Sequence, residues 1–332
     1  MQVETKNCLY GGKMKIKKII YTILLVLIIS IFIIAILKPV NTKKKNNDKI
    51  SVVCTSFVGY DFVRAITKGT DNIEITYLLD QGVDSHSFEP TASQLILIQE
   101  SDLFIYNGGE MENWTEQVIP TLDVSETKLL RIMDTVNLLE EEHVDGAEEE
   151  EHHHHELAWD EHVWTSPENA MKIVKAIETE LAKVDVENTT IFKENANNYI
   201  NEIENLDGDI WEIVKNAKRK RLVFGDRMPV RYLLEEFNLE ASGAFNGCST
   251  ETEPSTKTMT YLIDLVKEEK IPVVLYIENG NSKVANIIAQ ESGAKVMQIQ
   301  TLHTIFSEDY NNGESYVTLM NRNLEVLKQA LQ

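Results

Sequence analysis

The sequence predicts an α/β protein of two lobes with mainly parallel sheets, joined by a long helical connector and preceded by one N-terminal transmembrane helix. Three observations carry this prediction. Short apolar runs alternate with helical patterns from residue 50 to about residue 140, and again beyond residue 216, as βαβ units require. Residues 166–215 keep a helical pattern almost without interruption. An unbroken apolar run, IIYTILLVLIISIFIIAIL, fills residues 19–37.

In chain order, a basic N-terminus over residues 1–18 precedes the apolar run with Lys13, Lys15, Lys17 and Lys18. Nineteen helical residues can cross a hydrocarbon core of about 30 Å. No small-residue cleavage site follows, since Lys38, Pro39 and Val40 come next, and no cysteine stands there to accept a lipid. The expectation is an uncleaved anchor, with residues 38–49 as a flexible tether and the globular part outside the cytoplasm.

The N-terminal lobe spans residues 50–165. Its expected strands are Ile50 to Cys54, Ile73 to Leu79, Leu103 to Tyr106 and Leu129 to Met133, with helices between them at Tyr60 to Thr67 and Ser93 to Glu100. Within this lobe, residues 140–156 form an acidic, histidine-rich loop with no apolar period, so burial cannot offset its ordering entropy. The connector, 166–215, opens with a Ser166 cap and Pro167 in the first turn, and a turn interrupts it near Asp185 to Asn188. The C-terminal lobe, 216–332, carries strands at Leu222 to Phe224, Val273 to Ile277 and Val296 to Ile299. Its helices are Thr258 to Glu269 and Tyr316 to Leu331.

Charge narrows the partners. The 332 residues carry a formal net charge of -21, which disfavours nucleic acid and suits a cationic ligand. The distribution is uneven: nine lysines against one acid over residues 13–49, then eleven acids and no Lys or Arg over residues 138–161. Cys8, Cys54 and Cys248 make no C-x-x-C pair and no disulfide framework, and Cys54 reads as a small buried hydrophobe.

Eight histidines remain to be explained. His143, His152, His153, His154 and His155 fall in the acidic loop, where imidazoles among carboxylates suit a low-affinity metal collector. His86, His162 and His303 each sit in a short loop that follows a strand or precedes a helix. Neutral imidazole is a good zinc donor, and a few such groups from separate loops can build a four-coordinate site. Sequence spacing alone does not show that they converge; the alternative for each is a loop residue bonded to backbone.

Several segments resemble the zinc- and manganese-type solute-binding proteins of bacterial ABC importers, over roughly residues 50–332. GVDSHSFEP at 82–90 is similar to the family's Gly-Val-Asp-Pro-His-Ser-Tyr-Glu-Pro, and HVWTSP at 162–167 to its His-Val-Trp-Leu-Ser-Pro. ETEPS at 251–255 and GESYVTLMNRNLEVLKQAL at 313–331 match its C-terminal lobe. An acidic, histidine-rich loop like residues 140–156 is typical of the zinc-type members. The resemblance implies metal ligation by His86 and His162. It also implies a third ligand, often in Phe-His-Asp, where this chain has Gly225 within VFGDRMPVRY. Asp226 is the nearest donor and is assigned that role; the alternative is an Asp that caps the following turn or pairs with Arg227 or Arg231. His303, ten residues before Gly313, stands where the family's fourth ligand falls.

The implied set is thus His86, His162, Asp226 and His303, three nitrogens and one carboxylate, which favours zinc over manganese. The resemblance implies a monomeric receptor on the outer face of the cell membrane. Zinc would be the transported ligand, handed to an ABC permease and its ATPase. No phosphate-binding G-x-x-x-x-G-K-[ST] is present, so transport energy would come from those partners. Three alternatives remain: a manganese-type receptor, a zinc-dependent hydrolase with an open coordination position, and a surface adhesin whose metal is structural. The hydrolase lacks an H-E-x-x-H motif.

Overall fold

The computed structural model describes residues 49–141, 159–247 and 253–332. The expected anchor at 19–37, nearly all of the tether, Cys8, Cys248 and the loop histidines His143, His152, His153, His154 and His155 lie outside them. Among the described residues no helix is long and apolar enough to cross a membrane.

The first sheet contains β1 (Ile50–Cys54), β2 (Ile73–Tyr77), β3 (Leu103–Tyr106) and β4 (Lys128–Arg131), in the order β2-β1-β3-β4. Every pairing is parallel. The second contains β5 (Arg221–Phe224), β6 (Glu240–Gly243), β7 (Val273–Ile277) and β8 (Lys295–Ile299), ordered β6-β5-β7-β8 and again all parallel. The two lobes therefore repeat one topology. In each, the strand order reverses beside the first strand, and loops at the carboxyl ends open a crevice there.

Central strands show why. ISVVC in β1 and VVLYI in β7 are rich in β-branched residues and largely buried, as strands covered on both faces must be. Two expectations need correction. The strand expected over Leu129 to Met133 ends at Arg131, because Ile132–Thr135 turns into a single 3-10 helix that buries Ile132 and Met133. The edge strand β6, with sequence EASG, was not anticipated.

The helices are α1 (Phe57–Ile66), α2 (Ala92–Gln99), α3 (Asn113–Val118), α4 (Pro167–Val184), α5 (Thr189–Lys215), α6 (Arg231–Phe237), α7 (Thr256–Glu268), α8 (Lys283–Ser292), α9 (Ser307–Asn311) and α10 (Tyr316–Ala330). The Ser166 hydroxyl caps α4 by accepting from Asn169 N–H, and Pro167 occupies its first turn. Thr91 and Gln94 form a capping box on α2.

Helices α4 and α5 form the spine. Ile173, Ile177, Phe192, Ile203 and Ile210 are fully buried in one core that also takes Phe62 from α1 and Tyr316 from α10. Each such side chain contributes roughly 1.5–3 kcal/mol on leaving water. The opposite face of the first sheet is closed by Ile98 over Val53 and Phe104, and that of the second by Leu262 and Ile288 over Val223 and Val274. Cys54 is a free, buried thiol whose pKa burial pushes well up, in keeping with a packing role.

Three contacts tie the two sheets' loops together. Gly82 N–H donates to Ile305 O at 2.9 Å, Trp164 Nε1 to Thr301 O at 2.8 Å, and Tyr316 Oη to Trp164 O at 2.9 Å. They join the segments that carry His86, His162 and His303.

Candidate metal centre

Each of those three histidines is set by its own local device. His86 lies in the 3-10 turn Ser85–Ser87, whose Asp84 cap accepts the His86 N–H at 3.0 Å. The second oxygen of Asp84 meets Arg227 Nη2 at 3.3 Å and Asn279 Nδ2 at 3.1 Å, anchoring the turn to the C-terminal lobe.

His162 directly precedes the Val163–Thr165 turn and is fully buried. Asp160 Oδ1 lies 2.9 Å from its backbone nitrogen and 3.2 Å from ring Nδ1. This fixes the ring and leaves Nε2 as the outward nitrogen.

His303 follows Leu302, one of three described non-glycine residues with positive φ, at 60°. A left-handed leucine is strained and persists only where its surroundings fix it. Buried Glu278 supplies the constraint: it accepts from Thr301 N–H at 2.8 Å, from the Thr301 hydroxyl, and from His303 N–H at 2.9 Å.

The result is convergence. One ligand nitrogen from each of His86, His162 and His303 lies within 4.8 Å of the other two. The His303 ring stands edge-on to both others, with centroids 5.1 Å from His86 and 4.9 Å from His162. Nε2 of His86, Nε2 of His162 and both ring nitrogens of His303 are buried without a hydrogen-bond partner. Buried nitrogens without partners carry a desolvation cost, which a bound cation would remove.

Electrostatics separate the three. Burial lowers the His86 pKa to about 4, against the Asp84 charge. His303 is held well below 6.5 by burial and by the two neighbouring imidazoles. Burial is the largest influence on His162 and acts to lower it, but the charge and hydrogen bond of Asp160, with the charges of Glu161 and Glu141, together hold its pKa above 6.5.

The structure does not bring Asp226 into this cluster. Its Oδ1 accepts from Arg227 N–H at 2.8 Å and its Oδ2 from Ile277 N–H at 3.2 Å, so both oxygens serve backbone groups around the turn. Gly225 shows why no family-type side chain stands before it: a Cβ there would lie 2.4 Å from Ala285 Cα at the start of α8. The first strand of the C-terminal lobe therefore contributes close packing at Gly225 in place of a donor.

Sequence reading missed Asp160, Glu161 and Glu278. Asp160 alone had a local signal, the Asp-x-His spacing that lets a carboxylate reach Nδ1. Its removal has a measurable consequence. Asp160→Asn is expected to weaken metal binding roughly 10–100-fold, as loss of an orienting partner does. It should also move the acid limb of binding to lower pH, because the charge that raises His162 is gone. Chelator competition across pH reads both effects, and an unchanged acid limb would contradict the orienting role.

The comparisons agree with this fold. The family described as "Zinc-uptake complex component A periplasmic" matches residues 52–330. The zinc-binding lipoprotein AdcA of Streptococcus pneumoniae (strain ATCC BAA-255 / R6) is 32% identical over 311 residues, covering 93% of this chain and 60% of AdcA. The high-affinity zinc uptake system protein ZnuA of Bacillus subtilis (strain 168) is 32% identical over 287 residues, covering 86% of this chain and 88% of that protein. In structure, the Zn(II)-bound ZnuA-like domain of Streptococcus pneumoniae AdcA superposes with a TM-score of 0.71 at 29% identity, covering 85% of this chain and 99% of that domain.

Two α/β lobes of parallel sheet and a converging trio of imidazoles thus occur in a chain that matches the zinc-uptake components. The chain belongs to the ZnuA family of zinc-uptake components. It spans about 60% of the length of the AdcA relative it matches.

Proposed function

We propose that this chain is an extracytoplasmic receptor that captures zinc between its lobes and delivers it to an ABC permease driven by a partner ATPase. The observation that carries the reading is the trio His86, His162 and His303, with ligand nitrogens within 4.8 Å of one another. Donors on one tetrahedral zinc stand about 3.4 Å apart, given Zn–N bonds of about 2.0–2.1 Å. A modest approach of the lobes would bring the trio onto one ion. Loading would therefore stabilise a closed form for the permease to recognise. A nitrogen-rich set favours zinc over manganese, whose sites carry more carboxylate oxygen.

In this reading residues 50–165 and 216–332 are the two lobes and 166–215 the connector that lets them move. Residues 19–37 hold the protein to the membrane as an uncleaved anchor, residues 38–49 tether it, and it acts as a monomer. The histidines of the 140–156 loop gather cations for the site, a role that rests on composition alone.

The test is a chelator-competition titration of zinc and manganese across pH 5–8. Zinc should bind more tightly than manganese throughout. Metal competes with protons only at groups protonated in the metal-free protein. With His86 lowered to about 4 and His303 well below 6.5, His162 is the one member that takes a proton in this range. Zinc affinity should fall about tenfold per pH unit once pH drops below the raised His162 value, a slope near one proton. A flat profile, or a three-proton slope, would contradict the site.

A further inference from the structure

Three imidazoles bring no negative charge to a divalent ion, and a closed four-coordinate site needs one more donor. Asp226 is engaged with backbone N–H groups of Arg227 and Ile277, and Gly225 has no room for a side chain. Beside His86 stands Glu161, next in sequence to His162 and 1% exposed. Its Oε1 lies 3.7 Å from His86 Nε2, a nitrogen without a hydrogen-bond partner. That separation is close to the roughly 3.4 Å expected between two donors on one tetrahedral zinc.

We infer that Glu161 supplies the fourth donor to the captured ion, one carboxylate oxygen completing a three-imidazole, one-carboxylate set. The inference rests on the receptor reading and names a ligand of the same site. It agrees with how Glu161 is held. Both of its oxygens accept from the Met111 N–H, at 3.0 and 3.1 Å. Gly109, at φ +82°, makes room for the carboxylate: a Cβ there would come within 2.3 Å of Oε2. Asn107 Nδ2 donates to the Glu161 carbonyl at 3.0 Å, so the NGGEME turn after β3 grips this residue from two sides. The carboxylate offsets half of the ion's charge, and its removal from the ion would leave a position for water.

The experiment compares the full-length wild type with Glu161→Gln and Asp226→Asn, using zinc competition and the visible d–d absorption of Co²⁺ as a zinc surrogate. Glu161→Gln keeps an acceptor for Met111 N–H and nearly the same volume. It should bind zinc about 100-fold more weakly and alter the cobalt bands, while Asp226→Asn leaves affinity within a few-fold and the bands unchanged. Unchanged bands and affinity in Glu161→Gln, or altered bands in Asp226→Asn alone, would overturn the assignment. Should Glu161→Gln fail to fold, a crystal structure of the zinc-loaded wild type decides. A Glu161 oxygen at about 2.0 Å from zinc supports the inference, and one beyond 3 Å removes it. His86→Ala separates the two claims: if it retains wild-type affinity, the receptor site itself is wrong, whatever Glu161 does.

Discussion

Replacing His303 by alanine should weaken zinc binding by about 100-fold or more. Structural zinc sites gain an apparent 10–16 kcal/mol from four ligands, so one ligand is worth about 3 kcal/mol, or two decades in affinity. His303 is the most informative of the three to remove. Its ring contacts both of the others, and among the trio it alone comes from the C-terminal lobe, so its loss also unlinks metal binding from lobe closure. Stability of the metal-free protein gives an independent reading. Both ring nitrogens are buried without partners, and each such group costs about 1–3 kcal/mol. Alanine removes that penalty while leaving a small void, so metal-free His303→Ala should unfold at nearly the wild-type denaturant concentration. Chelator competition and urea unfolding measure the two quantities. A threefold loss of affinity or less would sink the ligand role, as would a loss of affinity that merely follows a large loss of stability.

The arrangement of strands was legible because parallel strands buried on both faces need near-continuous apolar runs, and ISVVC and VVLYI are such runs. EASG in β6 was not legible. Alanine, serine and glycine carry little strand propensity, and this edge position is fixed by pairing with β5. Leu129 to Met133 read as one strand, yet Ile132 and Met133 are apolar because a turn buries them, which period alone cannot distinguish. The three histidines were nameable from their flanking motifs. Their convergence was not, since it depends on the lobes' relative placement and on a strained Leu302. Gly225 announced a missing donor in the sequence, but only packing against Ala285 shows why the position is closed. Glu161 was hidden for a simpler reason. It is one of 53 acidic residues, adjacent to a run in which carboxylates are common, and nothing local marks it as buried.

The second large effect is expected far from the histidines. Asp61 on α1 is 1% exposed and serves three elements at once. Its Oδ1 accepts from Arg64 Nη2 at 2.6 Å, and its Oδ2 accepts from the Tyr199 hydroxyl of α5 at 2.5 Å and from Tyr316 N–H at the start of α10 at 2.8 Å. Arg64 Nη2 also reaches the Glu314 carbonyl at 2.7 Å, just ahead of α10. This cluster therefore fastens the N-terminal lobe to the spine and to the last helix. Burial raises the Asp61 pKa, with Arg64 and the hydrogen bonds opposing it, so the ionised form is costly and the network's value lies in satisfied partners. Two substitutions consequently diverge. Asp61→Ala leaves Tyr199 Oη and Tyr316 N–H buried without an acceptor and should cost about 3–5 kcal/mol. At 2–4 °C per kcal/mol for a domain of this size, that is a fall of roughly 10 °C in Tm for the metal-free protein. Asp61→Asn keeps an acceptor oxygen and avoids the buried charge, and partly exposed Arg64 can turn to water, so it should cost about 1 kcal/mol or less. Equal losses in the two variants would show that charge, not hydrogen-bond satisfaction, governs the cluster; a small loss in Asp61→Ala would show that the three elements hold together without it.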